Sequence, residues 1–173
     1  MYTIEIPLFK TAGKNILVWH ENMQIASFRK TFRNIGHRTF ECVRPHSIID
    51  MKGENSDHHT VTLKEELFSN QKFARSWQGT SEQLGSFTIL NEPWSFSDPL
   101  FYIHLPQQEA KVMVRKVPAT PEIHFLYEGK CLQLVRIDSS SIIQKLTFTY
   151  NKEQKLLTPL EIAMFTYLLL FSS

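Results

Sequence analysis

The residues best placed to do chemistry lie in one basic stretch, "FRKTFRNIGHR" at 28–38. It holds Arg29, Lys30, Arg33 and Arg38 among aromatic side chains. As a strand, this stretch would place Arg29 and Arg33 on one face and Lys30 on the other. An arginine face beside aromatic rings can bind phosphate, an anionic lipid headgroup or single-stranded nucleic acid. The alternative is a solvated outer strand whose charges discourage edge pairing.

Histidines and carboxylates do not show metal-ligand spacing. Tetrahedral zinc sites usually bring two ligands close in sequence, as H-x₃₋₅-H or C-x₂₋₄-C. None of the seven histidines has such spacing: His20, His37, His46, His58, His59, His104 and His124. His58 and His59 follow Asp57, but adjacent residues of a strand point to opposite faces, so both histidines could ligate one metal ion only in a turn. We therefore predict no metal site and treat 57–59 as a structural loop.

Catalytic motifs are also missing from the sequence. There is no G-x-S-x-G, no G-x-x-x-x-G-K-[ST] and no H-E-x-x-H, and the chain has six glycines. Cys42 and Cys131 each sit in a segment of alternating apolar residues, which predicts two buried free thiols. We predict no catalytic residue and no cofactor. A small enzyme that uses a cysteine with a histidine remains an alternative.

Most of the chain is predicted to form strands. Many segments alternate apolar and polar residues, the period of a sheet with one buried face, and turn residues separate them. The twelve candidates are 2–9, 15–20, 24–32, 37–44, 60–63, 72–77, 86–92, 100–105, 110–117, 122–128, 130–137 and 142–150. Their spacing favours an all-β barrel or a strongly bent sandwich. The polar segment at about 45–59 is predicted to be a long exposed loop.

A single apolar helix is predicted at the C-terminal end, over 159–171. Thr158 is its expected N-cap, Pro159 its first residue and Glu161 its third, which together make a capping box. The run from Ile162 to Phe171 has almost no polar side, so the helix must be buried all round. A closed sheet can enclose such a helix. The rival interpretation is a segment that docks on a partner or a membrane surface, but it lacks a basic face.

An aromatic segment, "NEPWSFSDPLFY" at 91–102, contains Trp94. Its rings pack the end of the barrel, or they line the mouth of a small-molecule site. On the second interpretation, Trp94 is a ligand-binding residue.

Length and charge limit the remaining classes. The 173 residues fit one domain, and the net charge of +2 is too small to indicate a nucleic-acid partner. The N-terminus has no signal-peptide pattern, and the C-terminal apolar run is shorter than the about 20 residues that span a bilayer. We expect one cytoplasmic domain over 1–173, with no transmembrane span.

The order of elements resembles the tubby-like C-terminal fold, in which about twelve strands surround a hydrophobic C-terminal helix. Plant LURP-one-related proteins, phospholipid scramblases and small bacterial tubby-like proteins share this layout. The matching stretches are "ILVWHENMQIASFRK", "WSFSDPLFYIHLPQQEAKVMVRK" and the terminal helix. In tubby proper, basic side chains on one barrel face hold a phosphoinositide headgroup, so the resemblance implies a lipid-binding or regulatory role.

These observations predict a non-enzymatic binding or regulatory module. Its basic face, centred on 29–38, would meet a protein partner with an acidic surface, or an anionic lipid or phosphate ligand. The alternatives are a carrier of a small ligand or lipid with its mouth near Trp94, and the cysteine and histidine enzyme.

Overall fold

Twelve antiparallel strands close into a barrel in the computed structural model. The structure describes residues 1–7, 13–43, 48–66, 75–91, 100–138, 143–151, 153–154 and 156–172, but not the side chains of 7, 40–43 and 143. The strands are β1 Tyr2–Pro7, β2 Ile16–His20, β3 Met23–Thr31, β4 Asp50–Asn55, β5 Thr60–Glu65, β6 Ser76–Ser81, β7 Gly85–Asn91, β8 Leu100–Leu105, β9 Ala110–Lys116, β10 Glu122–Tyr127, β11 Lys130–Asp138 and β12 Ile143–Phe148. The helices are α1 Ile35–Val43, a 3₁₀ turn Pro106–Gln108 and α2 Pro159–Phe171.

Each strand pairs with its neighbours in sequence, and β1 closes the barrel against β12. Closure leaves no unpaired sheet edge. The connections therefore alternate between two ends. Short connections at 21–22, 56–59, 82–84, 106–109 and 128–129 share one end, which we name the turn end. The connections after β1, β3, β5, β7, β9 and β11 share the other, which we name the loop end.

Helix α2 occupies the barrel axis, as its apolar sequence predicts. Its residues from Leu160 to Leu169 are all buried. Phe28 of β3 and Phe87 of β7 pack edge-on against Tyr167 and Phe165 of the helix, with ring centroids 5.6 and 5.5 Å apart. The predicted capping box is present: the Thr158 side chain accepts from the Glu161 N–H, and the Glu161 carboxylate accepts from the Thr158 N–H. The mainly-β fold with an enclosed C-terminal helix is thus confirmed.

The predicted loop at about 45–59 is wrong in its centre, because Asp50–Asn55 forms β4. The sequence "DMKGEN" has weak β propensity, and its glycine suggests a loop. Gly53 is needed because α2 passes close to the strand. A Cβ there would lie 2.7 Å from the Met164 sulfur and 2.9 Å from a Leu160 methyl. The sheet thus accommodates a glycine at a strand position where the sequence pattern predicts a loop.

The predicted strand at 37–44 is also wrong, since Ile35–Val43 forms helix α1. The Asn34 side chain caps this helix by accepting a 2.7 Å hydrogen bond from the His37 N–H. Alternating apolar residues alone could not show this, because a short helix and a strand fit the same few positions. The predicted number of twelve strands is nevertheless right, because β4 replaces the strand that was predicted at 37–44.

Two smaller predictions also differ from the structure. Strand β6 begins at Ser76 rather than at 72, and residues 72–74 lie outside the described ones. Cys131 is a free thiol as predicted, but it is exposed rather than buried. The side chain of Cys42 lies outside the described part of the chain.

Candidate functional site

An open groove of about 470 Å³ lies at the loop end, beside the start of α1. It contains three of the four basic residues that the sequence singled out. Its lining residues are Gly13, Arg29, Lys30, Thr31, Phe32, Asn34, Ile35 and Arg38. Arg29 and Arg38 are exposed, and Ile35 between them is 84% exposed. The groove therefore combines cationic side chains with an apolar side chain that faces solvent.

Arg29 has a like-charged neighbour that the sequence did not reveal. It lies directly across the β3–β4 ladder from Lys52, and both side chains are on the exposed outer face. Among the described residues, neither has a carboxylate within ion-pair distance. Like charges in opposed positions of a sheet repel and destabilise it. The pair thus places two positive charges side by side on the outer face of the barrel.

The start of α1 is held rigidly beside the groove. The Asn34 side chain caps the helix, and the His37 ring packs edge-on against Phe32 with centroids 5.4 Å apart. The Nδ1 atom of His37 accepts a hydrogen bond from the Arg33 N–H. Because His37 is buried, these contacts fix the turn from which Ile35 and Arg38 project.

Arg33, in contrast, is engaged in an internal ion pair. Its Nη2 donates a 2.7 Å hydrogen bond to Asp50, and its Nε donates to the other oxygen of that carboxylate. Its Nη2 also donates to the backbone carbonyl of Glu65. The hydrogen bond to Asp50 raises the pKa of Arg33 above its ordinary value. The guanidinium therefore compensates a buried acid and is not offered to the groove.

This ion pair is part of a hydrogen-bonded network of charged side chains at the loop end. The Glu65 carboxylate accepts two 2.7 Å hydrogen bonds from Arg75 and one of 2.7 Å from the Ile49 N–H. Arg75 also donates to the carbonyl of Ser172, just after α2. The Asp50 carboxylate accepts from the Glu65 N–H and so joins the two pairs. The network ties the strand that leads to α1 to the end of the core helix.

Lys30 borders the groove but is a barrel-interior residue, only 2% exposed. It follows the strand alternation that the sequence predicts: Phe28 and Lys30 face inward while Arg29 faces outward. Lys30 has an interaction partner inside the protein. Of the four basic candidates, Arg29 and Arg38 are therefore the ones exposed in the groove.

The remaining candidates do not join this groove. Lys111, Arg115 and Lys116 belong to β9, which lies six strands from β3 in either direction round the barrel. They form no common patch with Arg29. Trp94 lies outside the described residues, between β7 and β8.

The histidines of the β4–β5 turn pair with carboxylates and not with one another. The Nδ1 atom of His58 lies 2.7 Å from Glu54, and the Nε2 atom of His59 lies 3.8 Å from Glu82. Within the described residues, no group of three histidine, cysteine, aspartate or glutamate side chains is placed to hold a metal ion.

Comparison with protein families decides the classification. The model of the Tubby C-terminal like domain matches residues 2–171. The chain belongs to this family. No curated protein and no solved structure matches it. The match covers the whole tubby-like barrel, including α2 and the groove, and so confirms the resemblance seen in the layout of the sequence.

The family places limits on function. Tubby-like domains are generally non-enzymatic, and membership suggests a binding or regulatory module. In the part of the chain that the structure describes, no helix has the length and apolar character needed to cross a bilayer.

Proposed function

We propose that this tubby-like domain is a non-enzymatic binding module whose loop-end groove takes a phosphate-bearing anionic ligand. The observation that carries the proposal is the Arg29–Lys52 pair, two exposed cations opposed across the β3–β4 ladder without a carboxylate partner. Arg29 lines the groove, Lys52 stands beside it across the ladder, and Arg38 is a second exposed cation in the groove lining. Arginine and lysine bind phosphate oxygens through charge-assisted hydrogen bonds, and arginine does so in a bidentate manner.

The exposed Ile35 favours a phosphate that belongs to a lipid. A bare apolar side chain between two arginines gains little from a small soluble anion. At a bilayer surface it enters the acyl boundary while the arginines meet the headgroups. An acidic protein surface would also satisfy the cations, and it is one outcome of the experiment below.

The other two functions receive less support. A carrier with its mouth near Trp94 would need space inside the barrel, but α2 occupies the axis and is buried from Leu160 to Leu169. A cysteine and histidine enzyme would need a thiol beside an imidazole, whereas the Cys131 thiol, the one cysteine side chain among the described residues, donates to the Gln133 carbonyl. A non-enzymatic, cytoplasmic regulatory protein fits the family and the groove best.

The test is binding to vesicles of phosphatidylcholine alone, with phosphatidylserine, and with a phosphoinositide, by co-sedimentation at two salt concentrations. Arg29→Glu and Lys52→Glu should each weaken binding to anionic vesicles roughly thirtyfold, since each reversal changes the charge by two and each unit charge near such a surface contributes about 1 kcal/mol. Lys130→Glu is the matched control, because Lys130 is an exposed cation at the turn end. Equal affinities for Arg29→Glu and Lys130→Glu would contradict the proposal.

Two further arms separate the sources of the anion. Inositol hexakisphosphate in solution tests recognition of phosphate without a bilayer, and a polyglutamate peptide tests recognition of an acidic protein. Binding of the soluble phosphate with the same sensitivity to Arg29→Glu supports phosphate recognition. Binding of polyglutamate alone would replace the phosphate ligand with an acidic partner.

A further inference from the structure

The two ends of the barrel carry opposite charge. Each of the five short turns at the turn end contains one carboxylate and neither lysine nor arginine. These residues are Glu21, Asp57, Glu82, Glu109 and Glu128. The remaining connection at that end, 149–158, has one glutamate and two lysines. The six turn-end connections thus hold six carboxylates and two lysines, and the turn end remains acidic when Lys130, at the start of β11, is counted as well.

Three of these carboxylates occupy backbone positions that disfavour glutamate. Glu21, Glu109 and Glu128 have φ of 49°, 48° and 49°. This left-handed region favours glycine and asparagine, and two-residue hairpin turns most often carry Asn-Gly. The chain has Glu21-Asn22 and Glu128-Gly129 instead. Negative charge is kept at this end in spite of a conformational cost.

The loop end has the opposite sign. Its described cations include the exposed Lys14, Arg29, Arg38 and Lys116. Counted over its six connections, this end carries seven lysines and arginines against four carboxylates, and two buried acids beside it, Asp50 and Glu65, pair with Arg33 and Arg75. Glu66 accepts hydrogen bonds from the neutral Ser76 and Gln78 side chains, which lower its pKa, so it remains a negative charge at this end. The molecule thus has an electrostatic axis that runs along the barrel.

We infer that the barrel docks end-on against an anionic membrane surface, with the loop end inward and the acidic turns held away from the lipid. This inference rests on the proposed function of the groove and adds the orientation. The thirteen residues of α2 give the barrel axis a length of roughly 20 Å. The screening length in physiological salt is about 8 Å. With the loop end on the membrane, the turn carboxylates lie beyond the reach of the surface potential. With the turn end on the membrane, the same carboxylates would lie directly at the anionic surface.

Hydrogen–deuterium exchange on the intact protein measures the orientation directly. On vesicles of phosphatidylcholine with phosphatidylserine, we expect exchange to slow several-fold at 13–16 and 32–38. Exchange at 56–59, 82–85, 106–110 and 128–130 should stay unchanged. Equal protection of both ends in a vesicle-bound sample that remains sensitive to Arg29→Glu would overturn the orientation and leave the proposed function standing. Binding to soluble phosphate but not to vesicles would also overturn the docked orientation and leave the proposed phosphate binding standing.

Charge neutralisation gives a second readout. The triple variant Glu21→Gln, Glu109→Gln and Glu128→Gln should bind the same vesicles a few-fold more tightly and gain protection at the turn-end peptides, because the inverted orientation is no longer repelled. The matched control is Glu66→Gln, which removes a carboxylate at the loop end. It should tighten binding without protecting the turn end. A triple variant with the wild-type protection pattern would count against the inference.

Discussion

Basic residues that look equivalent in the sequence have different roles in the structure. Alternation along β3 correctly separates Arg29, which faces solvent, from Lys30, which faces the core. Arg33 has the same residue type as Arg29, but it compensates Asp50. Nothing in the sequence near Arg33 reveals that partner, because Asp50 lies in a segment whose glycine and polar residues predict a loop.

A second buried charge gives a prediction about pH. Glu161 is fully buried at the start of α2, where Ser81 donates to its carboxylate with an oxygen–oxygen distance of 2.5 Å. Burial raises the pKa of Glu161 above its ordinary value of 4.5, although the hydrogen bonds from Ser81 and Thr158 partly oppose this. The folded state therefore holds the proton more tightly than the unfolded state does. Its contribution to stability is fully present below pH 4.5 and is lost as pH rises towards the raised pKa.

Glu161→Gln removes this titration while keeping an amide oxygen for the cap. We expect the free energy of unfolding of the wild type to fall relative to that of Glu161→Gln as pH rises above 4.5, as measured by urea unfolding at several pH values. Ser81→Ala should enlarge the fall and extend it to higher pH, because the hydroxyl lowers the pKa. A constant difference between wild type and Glu161→Gln across this range would show that Glu161 titrates normally.

At the scale of elements, local sequence and long-range packing compete. Helix α1 has a capping residue, Asn34, and a short apolar pattern that also fits a strand. Strand β4 has a loop-like sequence, yet it pairs with both β3 and β5. In β4 the packing against α2 decides, because a glycine there lets helix and sheet approach closely.

Gly53→Ala tests that packing. The added methyl would meet the Met164 and Leu160 side chains at less than 3 Å, so these buried side chains, the helix or the strand must shift. Overpacking of this kind typically costs about 1–3 kcal/mol. We expect that loss in the free energy of unfolding by urea, monitored by circular dichroism.

Gly36→Ala is the matched control for Gly53→Ala. Gly36 lies in the exposed first turn of α1, and its closest contact to a new Cβ is the Asn34 side chain at 3.3 Å. Its effect should be small. If both variants lose the same stability, helix approach is not the reason for the glycine at 53.

At the scale of the whole molecule, the core depends on helix α2, the last element of the fold. The residues of α2 from Leu160 to Leu169 are all buried, and the strands face them with side chains such as Phe28 and Phe87. Burial of one large apolar side chain contributes about 1.5–3 kcal/mol. Summed over α2, this contribution is as large as the roughly 5–15 kcal/mol that separates a folded domain from its unfolded state.

A chain that stops after Leu157 should therefore fail to form the barrel. We expect it to be insoluble, or to show no cooperative thermal transition by circular dichroism. Addition of a synthetic 158–173 peptide during refolding is the complementary experiment and should recover part of the native spectrum. A truncated chain that unfolds cooperatively by itself would show that the strands close without the helix.

The sequence by itself determined the class of fold, the buried C-terminal helix with its Thr158–Glu161 cap, and the outward position of Arg29. These features follow from local periodicity and capping, which a chain carries in its own residues. Tertiary structure alone decided the rest: that Asp50–Asn55 is a strand, that Lys52 stands opposite Arg29, that Arg33 is compensated, and that charge is divided between the two barrel ends. These features depend on which residues that are far apart in the sequence come into contact, and strand pairing and barrel closure determine those contacts.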